Sequence, residues 1–147
     1  MKQLKQHKIA IISSEFWKDI VESLEKHCIL SLEKNGIQKE KIDVFRVPGS
    51  LEIPIIAKKV AQKNKYSAII VFGVIHKGKT YHFELISNEC ARGCMDVSLQ
   101  YEIPIIYEVL SVYNIKDAKD RAVDNNKNKG VEAAKAAIEM INLIQKI

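Results

Sequence analysis

The chain has 147 residues, with 23 lysines and arginines against 18 aspartates and glutamates, and a net charge of +5. That length suits one domain with a sizeable core, and the absence of any run of about 18 apolar residues excludes a transmembrane helix. The start, Met1 to Lys8, is polar and lacks an apolar signal region, so a cytoplasmic protein with no membrane partner is expected.

Strand and helix alternate four times along the chain. Lys8 to Ile12 is predicted as the first strand. Trp17 to Asn35 is predicted as a helix, with Ile20, Leu24, Cys28 and Leu32 at one-face spacing and Gly36 as its stop. Ile42 to Val47 is the second strand and Pro48-Gly49 a turn. Leu51 to Asn64 is the second helix, with Pro54 in its first turn, where proline is tolerated. Ala68 to Phe72 is the third strand, Thr80 to about Tyr101 the third helix, and Pro104 to Leu110 the fourth strand. Ile115 to Val123 is a short helix, Asp124 to Gly130 a polar break, and Val131 to Gln145 the last helix.

Apolar strands separated by helices imply a parallel sheet covered on both faces. Ligands bind such sheets outside the carboxyl ends of the strands. One rim is therefore expected from Ser14 to Trp17, Pro48 to Glu52, Val74 to His82 and Ser111 to Asn114.

Lysines are mixed with acids rather than gathered in a stripe, so no nucleic-acid partner is expected. The chain holds 20 lysines but only three arginines, Arg46, Arg92 and Arg121, so candidates for a bidentate phosphate clamp are few. Cys28, Cys90 and Cys94 are an odd, sparse set, which argues against a disulfide framework. Cys90 and Cys94 share a helix face and read as two buried small side chains. No His/Cys pair completes a zinc spacing, so no metal is expected.

The richest segment is Gly73 to His82. A glycine-bearing turn that opens a helix is a ready anion site, because backbone N–H groups and the helix dipole point outward there. Lys79 and Thr80 add donors, and His82 is a side chain able to move protons near neutral pH. Gly73-x4-Gly78-Lys79-Thr80 satisfies the pattern of a P-loop, making a nucleotide-binding protein one reading. Against it, Glu108 lies inside the fourth strand with no Asp at the strand's end, where a Mg²⁺ partner is needed. Val74-Ile75-His76 is also bulky where phosphate wrapping favours small residues.

A second match is much broader. Phe16, Val47-Pro-Gly-Ser-Leu-Glu-Ile-Pro54, Gly73 to Glu84, Asn88-Glu89, Pro104, Arg121-Ala122 and Asn128-Lys-Gly130 occur in a joint order and spacing that resembles the 6,7-dimethyl-8-ribityllumazine synthase family, from about Ile9 to Leu143. The resemblance implies a flavodoxin-like three-layer αβα fold with a four-stranded parallel sheet. It also implies condensation of 5-amino-6-(D-ribitylamino)uracil with 3,4-dihydroxy-2-butanone 4-phosphate, releasing phosphate and water, with no cofactor. It implies a homopentamer with active sites between subunits, a 60-subunit shell in some members, and riboflavin synthase as a candidate partner. A catalytically inactive shell or scaffold of the same fold is a further alternative.

Residue by residue, Phe16 matches the family's stacking aromatic, and a flat pyrimidine needs such a partner. Ser50, Leu51 and Glu52 match the ribityl-binding stretch, with Leu51 replacing the usual Phe. Val74, Ile75 and His76 fall on the ring-lining stretch, where His76 replaces an apolar residue and Lys77 the common Arg. Tyr107 stands at a second aromatic wall and Lys129 at a lysine contacting the pyrimidine. Gly78, Lys79, Thr80 and Arg121 match the phosphate site, Arg121 coming from a neighbouring subunit, with Lys79 where an acid or small residue is usual. His82 matches the proton-transfer histidine. Trp17 stands where the family often has Asn, and His27 replaces a small residue in the first helix.

Overall fold

The apolar runs form four parallel strands in the computed structural model, which describes residues 4–147. They are β1 (Ile9–Ser14), β2 (Ile42–Val47), β3 (Ala68–His76) and β4 (Ile105–Val112), in the order β2-β1-β3-β4. The helices between them are α1 (Lys18–Lys34), α2 (Ile53–Gln62), α3 (His82–Tyr101), α4 (Ile115–Asp120) and α5 (Lys129–Lys146). This is the flavodoxin-like three-layer arrangement. Met1 to Gln3 of the polar start lie outside the described residues.

Strand alternation divides the core in two. Ile9, Ile11, Ile70 and Phe72 point to one face and pack with Leu24, Cys28 and Leu32 of α1 and Ala133, Ala134 and Ala137 of α5. Ala10, Ile12, Ile69 and Val71 point to the other and pack with Ile53, Ala57 and Val60 of α2 and Cys90, Cys94 and Val97 of α3. Both faces of the inner strands are covered, which is why they read as continuous apolar runs.

Several boundaries differ from the predicted ones, and the differences matter at the rim. β1 runs on to Ser14, because the Ser13 hydroxyl donates to the buried Glu25 carboxylate at 2.8 Å and is satisfied inside. β3 runs four residues past Phe72, with Gly73 to His76 registered against Val109 to Val112 of β4. The turn predicted at Gly73 is therefore strand. α3 begins at His82, not Thr80, since Tyr81 occupies the cap and no side chain caps the helix. A 3₁₀ turn, Ser50–Glu52, precedes α2, which ends at Gln62. β4 extends from Ile105 to Val112. α4 stops at Asp120, and α5 starts at Lys129 because the Asn128 side chain accepts from Gly130 N–H.

Candidate active site

The carboxyl ends of β1, β2 and β3 converge on a cavity of about 420 Å³. Phe16 and Trp17 reach it from the end of β1, and Gly49, Ser50, Leu51 and Glu52 from the end of β2. Val74, Ile75 and His76 close β3, while His82 and Ile86 come from the first turns of α3. Eight of the predicted residues are thus brought together: Phe16, Ser50, Leu51, Glu52, Val74, Ile75, His76 and His82. Trp17, Gly49 and Ile86 line the cavity without having been assigned a site role. Ile86 follows His82 by four residues and so shares its helix face, a spacing that could have flagged it.

Close backbone approach builds this cavity. A side chain at Gly73 would begin 2.7 Å from Ser50 Oγ and 3.0 Å from Ser14 Oγ. The glycine lets the Ser50–Glu52 turn lie directly on β3. At Gly49, a side chain would begin 3.2 Å from the Glu52 carboxylate and 3.5 Å from the Phe16 ring. Glu52 and Phe16 therefore both lie against the bare backbone of Gly49, a carboxylate acceptor and an aromatic ring on the same cavity. The Phe16 ring is 65% exposed, so it is not part of the core.

Trp17 has φ 55° and ψ 50°, the left-handed region. A bulky residue held there costs on the order of 1–3 kcal/mol. Its carbonyl accepts from Ile20 and Val21 N–H and so starts α1. The indole meets the His76 ring edge-on, with centroids 5.8 Å apart and planes at 81°.

Gly78, Lys79 and Thr80 are exposed on the connection between β3 and α3, beside rather than among the cavity residues. Lys77 N–H continues the ladder to the Val112 carbonyl at 2.9 Å. Its ammonium donates to Glu84 at 2.8 Å and lies over the Phe83 and Tyr113 rings. That hydrogen bond holds the Glu84 carboxyl below the usual carboxylate range. The connection is thus tied at one end to α3, while Gly78 has open space around it.

This geometry corrects the P-loop reading. Gly73 is paired in a strand and cannot begin a phosphate-wrapping turn. Lys79 precedes the helix by a further turn of chain instead of opening it. Glu108 faces the α1/α5 side of the sheet rather than the rim. Burial pushes its carboxyl up to about 7, with Lys129 opposing and Glu132 reinforcing the shift.

Three predicted residues lie away from the cavity. Tyr107 is half-buried in β4, packed with the α2/α3 core, its hydroxyl enclosed beside the Cys90 thiol without a well-formed hydrogen bond. Burial pushes that phenol up. Arg121 caps α4 beside Ser111, Val112 and Tyr113, at the end of β4. Its guanidinium donates to the Asp117 carbonyl at 2.7 Å, and its own carbonyl accepts from Lys129 N–H at 2.8 Å. Lys129 in turn pairs with Glu132 at 2.7 Å, which raises its ammonium pKa. Arg121 and Lys129 therefore form one cationic segment on the β4 side. His27 anchors that segment to α1, with Nδ1 against the Ser23 carbonyl at 2.7 Å and Nε2 against the Asp124 carboxylate at 2.8 Å. The Ser23 hydroxyl adds a bond to the Ala122 carbonyl at 2.6 Å.

Comparison with known proteins identifies the family. The family model for 6,7-dimethyl-8-ribityllumazine synthase matches residues 6–145. The 6,7-dimethyl-8-ribityllumazine synthase of Ruthia magnifica subsp. Calyptogena magnifica is 44% identical over 98% of this chain and 89% of its own length. Those of Leuconostoc mesenteroides and Clostridium kluyveri are 40% and 41% identical, each over 95% of this chain and over 90% and 91% of their own lengths. The P-loop and inactive-scaffold alternatives find no support among these relatives. The chain belongs to the 6,7-dimethyl-8-ribityllumazine synthase family.

Proposed function

We propose that the protein condenses 5-amino-6-(D-ribitylamino)uracil with 3,4-dihydroxy-2-butanone 4-phosphate to 6,7-dimethyl-8-ribityllumazine, a transferase step of riboflavin biosynthesis. The observation that carries the reading is the convergence of Phe16, Glu52 and His82 on one cavity, in a chain of this family. Phe16 supplies a flat apolar face for the pyrimidine. Ser50 and Glu52 supply acceptors for the ribityl hydroxyls, and Val74 and Ile75 an apolar floor.

The amine attacks the ketone, the carbinolamine loses water to an imine, phosphate leaves, and ring closure expels a second water. Each step relocates a proton, which His82 carries between nitrogen, oxygen and solvent; such catalysis contributes a factor on the order of 10²–10⁴. Holding the amine against the ketone contributes more, because it removes translational entropy from a bimolecular step.

The phosphate binds outside the cavity's apolar part, at Gly78, Lys79 and Thr80 and the uncapped N-terminus of α3. Arg121 completes that site from a neighbouring chain, and Lys129 reaches the ring end in the same way. Support for this comes from their position at the end of β4 and on the β4 edge, away from their own chain's cavity. The active unit is then an oligomer, a pentamer as the resemblance to the family implies, which sedimentation tests: an active monomer would refute the shared site.

Mixing both substrates with the protein in EDTA, without nucleotide or flavin, should produce the lumazine's absorbance and fluorescence. No product, or product only with Mg·ATP, would overturn the assignment.

A further inference from the structure

Trp17 is the chain's only tryptophan, and its backbone is an anomaly. The left-handed corner that opens α1 suits Gly or Asn, and a bulky side chain there persists only where its surroundings over-determine it. Core packing does not supply the compensation, because the indole is 42% exposed. Its aromatic partner is His76, at the end of β3. Both rings line the cavity that also holds Phe16. Strain of this kind collects at binding sites, and the inference runs from the outlier to the site. Tyr107, the aromatic expected to wall the ring site, is turned into the α2/α3 core of its own chain.

We infer that Trp17 and His76 form a second aromatic wall, supplied by the same chain as Phe16, that positions the pyrimidine ring in the cavity. This rests on the function proposed above. The edge-on contact fixes the indole's orientation, so a planar ring entering the cavity meets an immobilised face instead of a rotating one. Immobilising the wall beforehand reduces the ordering cost of binding. The pair lies at the ends of β1 and β3, whereas Lys79 and Thr80 lie beyond the cavity. Its effect is therefore confined to the ring substrate.

Calorimetric titration of the purified parent chain with 5-amino-6-(D-ribitylamino)uracil alone, and separately with the phosphorylated butanone, tests this together with thermal melting. Trp17→Asn should weaken pyrimidine binding about tenfold, the upper end of what an aromatic contact contributes. It should leave the butanone unaffected and hold the melting temperature or raise it by about 2–4 °C, because Asn accepts the left-handed corner. His76→Leu should weaken the same substrate about threefold by freeing the indole. The double variant should bind no more weakly than Trp17→Asn, the signature of one coupled unit. Unchanged pyrimidine affinity in Trp17→Asn would overturn the wall. So would a melting temperature that falls together with affinity, which would make Trp17 a packing residue. Strictly additive effects would overturn the pairing. A parent chain that binds no pyrimidine would remove the functional reading itself, and a parent that binds as well as Trp17→Asn removes only this proposal.

Discussion

Glu108 gives the structure a definite pH signature. Its carboxyl is largely buried on β4 against the α5 side, and burial raises its pKa from 4.5 to about 7. A carboxyl whose folded pKa exceeds its unfolded value keeps its proton longer when folded. Between the two values folding takes up a proton, so stability falls as pH rises from about 4.5 to about 7 and levels off above. A shift of that size corresponds to an upper bound of about 3 kcal/mol. The group is partly solvated and faces Lys129, so screening reduces the figure to about 1–2 kcal/mol. Glu108→Gln keeps the shape and removes the charge. Urea unfolding of parent and variant at pH 5 and pH 8 should show near-equal stabilities at the lower pH. At pH 8 the variant should be more stable by about 1–2 kcal/mol. Equal pH dependence in the two proteins would refute the reasoning, because the buried carboxyl would then not be the titrating group.

His82→Ala should lower kcat by a factor on the order of 10²–10³ with little change in KM, because proton transfer appears mainly in the transition state; a KM effect alone would assign His82 to binding. Arg121→Ala should raise KM for the phosphorylated butanone about tenfold or more and leave the pyrimidine's nearly unchanged; equal effects on both would sink the clamp. Lys79→Ala should cost less than Arg121→Ala and affect only the butanone, since the α3 N-terminus and Arg121 remain; detectable Mg·ATP binding by the parent protein would contradict the correction of the P-loop reading. Gly73→Val should destabilise by about 1–3 kcal/mol through overpacking against Ser50, Ser14 and Val109, and should raise KM for the pyrimidine as the Ser50–Glu52 turn is displaced; a melting temperature equal to the parent's would show that the turn yields freely.

Sequence patterning revealed what depends on local physics. β2 is bounded as read, because Pro48-Gly49 ends it and its apolar residues supply both faces, Ile42 and Val44 on one and Phe45 and Val47 on the other. The one-face spacing of Ile20, Leu24, Cys28 and Leu32 in α1 correctly marked its buried stripe. Gly73 was misread because a glycine in a chain looks the same whether it makes a turn or admits another segment. Here the reason is Ser50, a residue distant in sequence. The start of α3 was misplaced because Thr80 resembles a cap, yet it makes no capping bond and Tyr81 fills the position.

The cavity was legible as the rim of a parallel sheet, but its membership was not. With order β2-β1-β3-β4, three strand ends meet and the fourth stands at the edge. That is why Arg121, Lys129 and Tyr107 separate from the remaining candidates. Trp17's position as a wall required its backbone angles and its contact with His76, and neither has a sequence signal.

The separation of the cavity from the Arg121–Lys129 segment has a genetic consequence. If each working centre draws its cavity from one chain and its cations from the next, a defect in either half disables a centre without disabling the chain. Two impaired variants, His82→Ala and Arg121→Ala, then become complementary. Refolded separately each keeps only its own reduced activity, and mixed and refolded together they form hybrid rings in which an intact cavity faces an intact arginine about once in four junctions. At butanone concentrations well below the KM of Arg121→Ala, activity should rise on mixing above the mean of the two and stay at that mean when they are only combined after assembly. A heterozygote carrying both alleles would make the vitamin precursor faster than the mean of the two alleles alone.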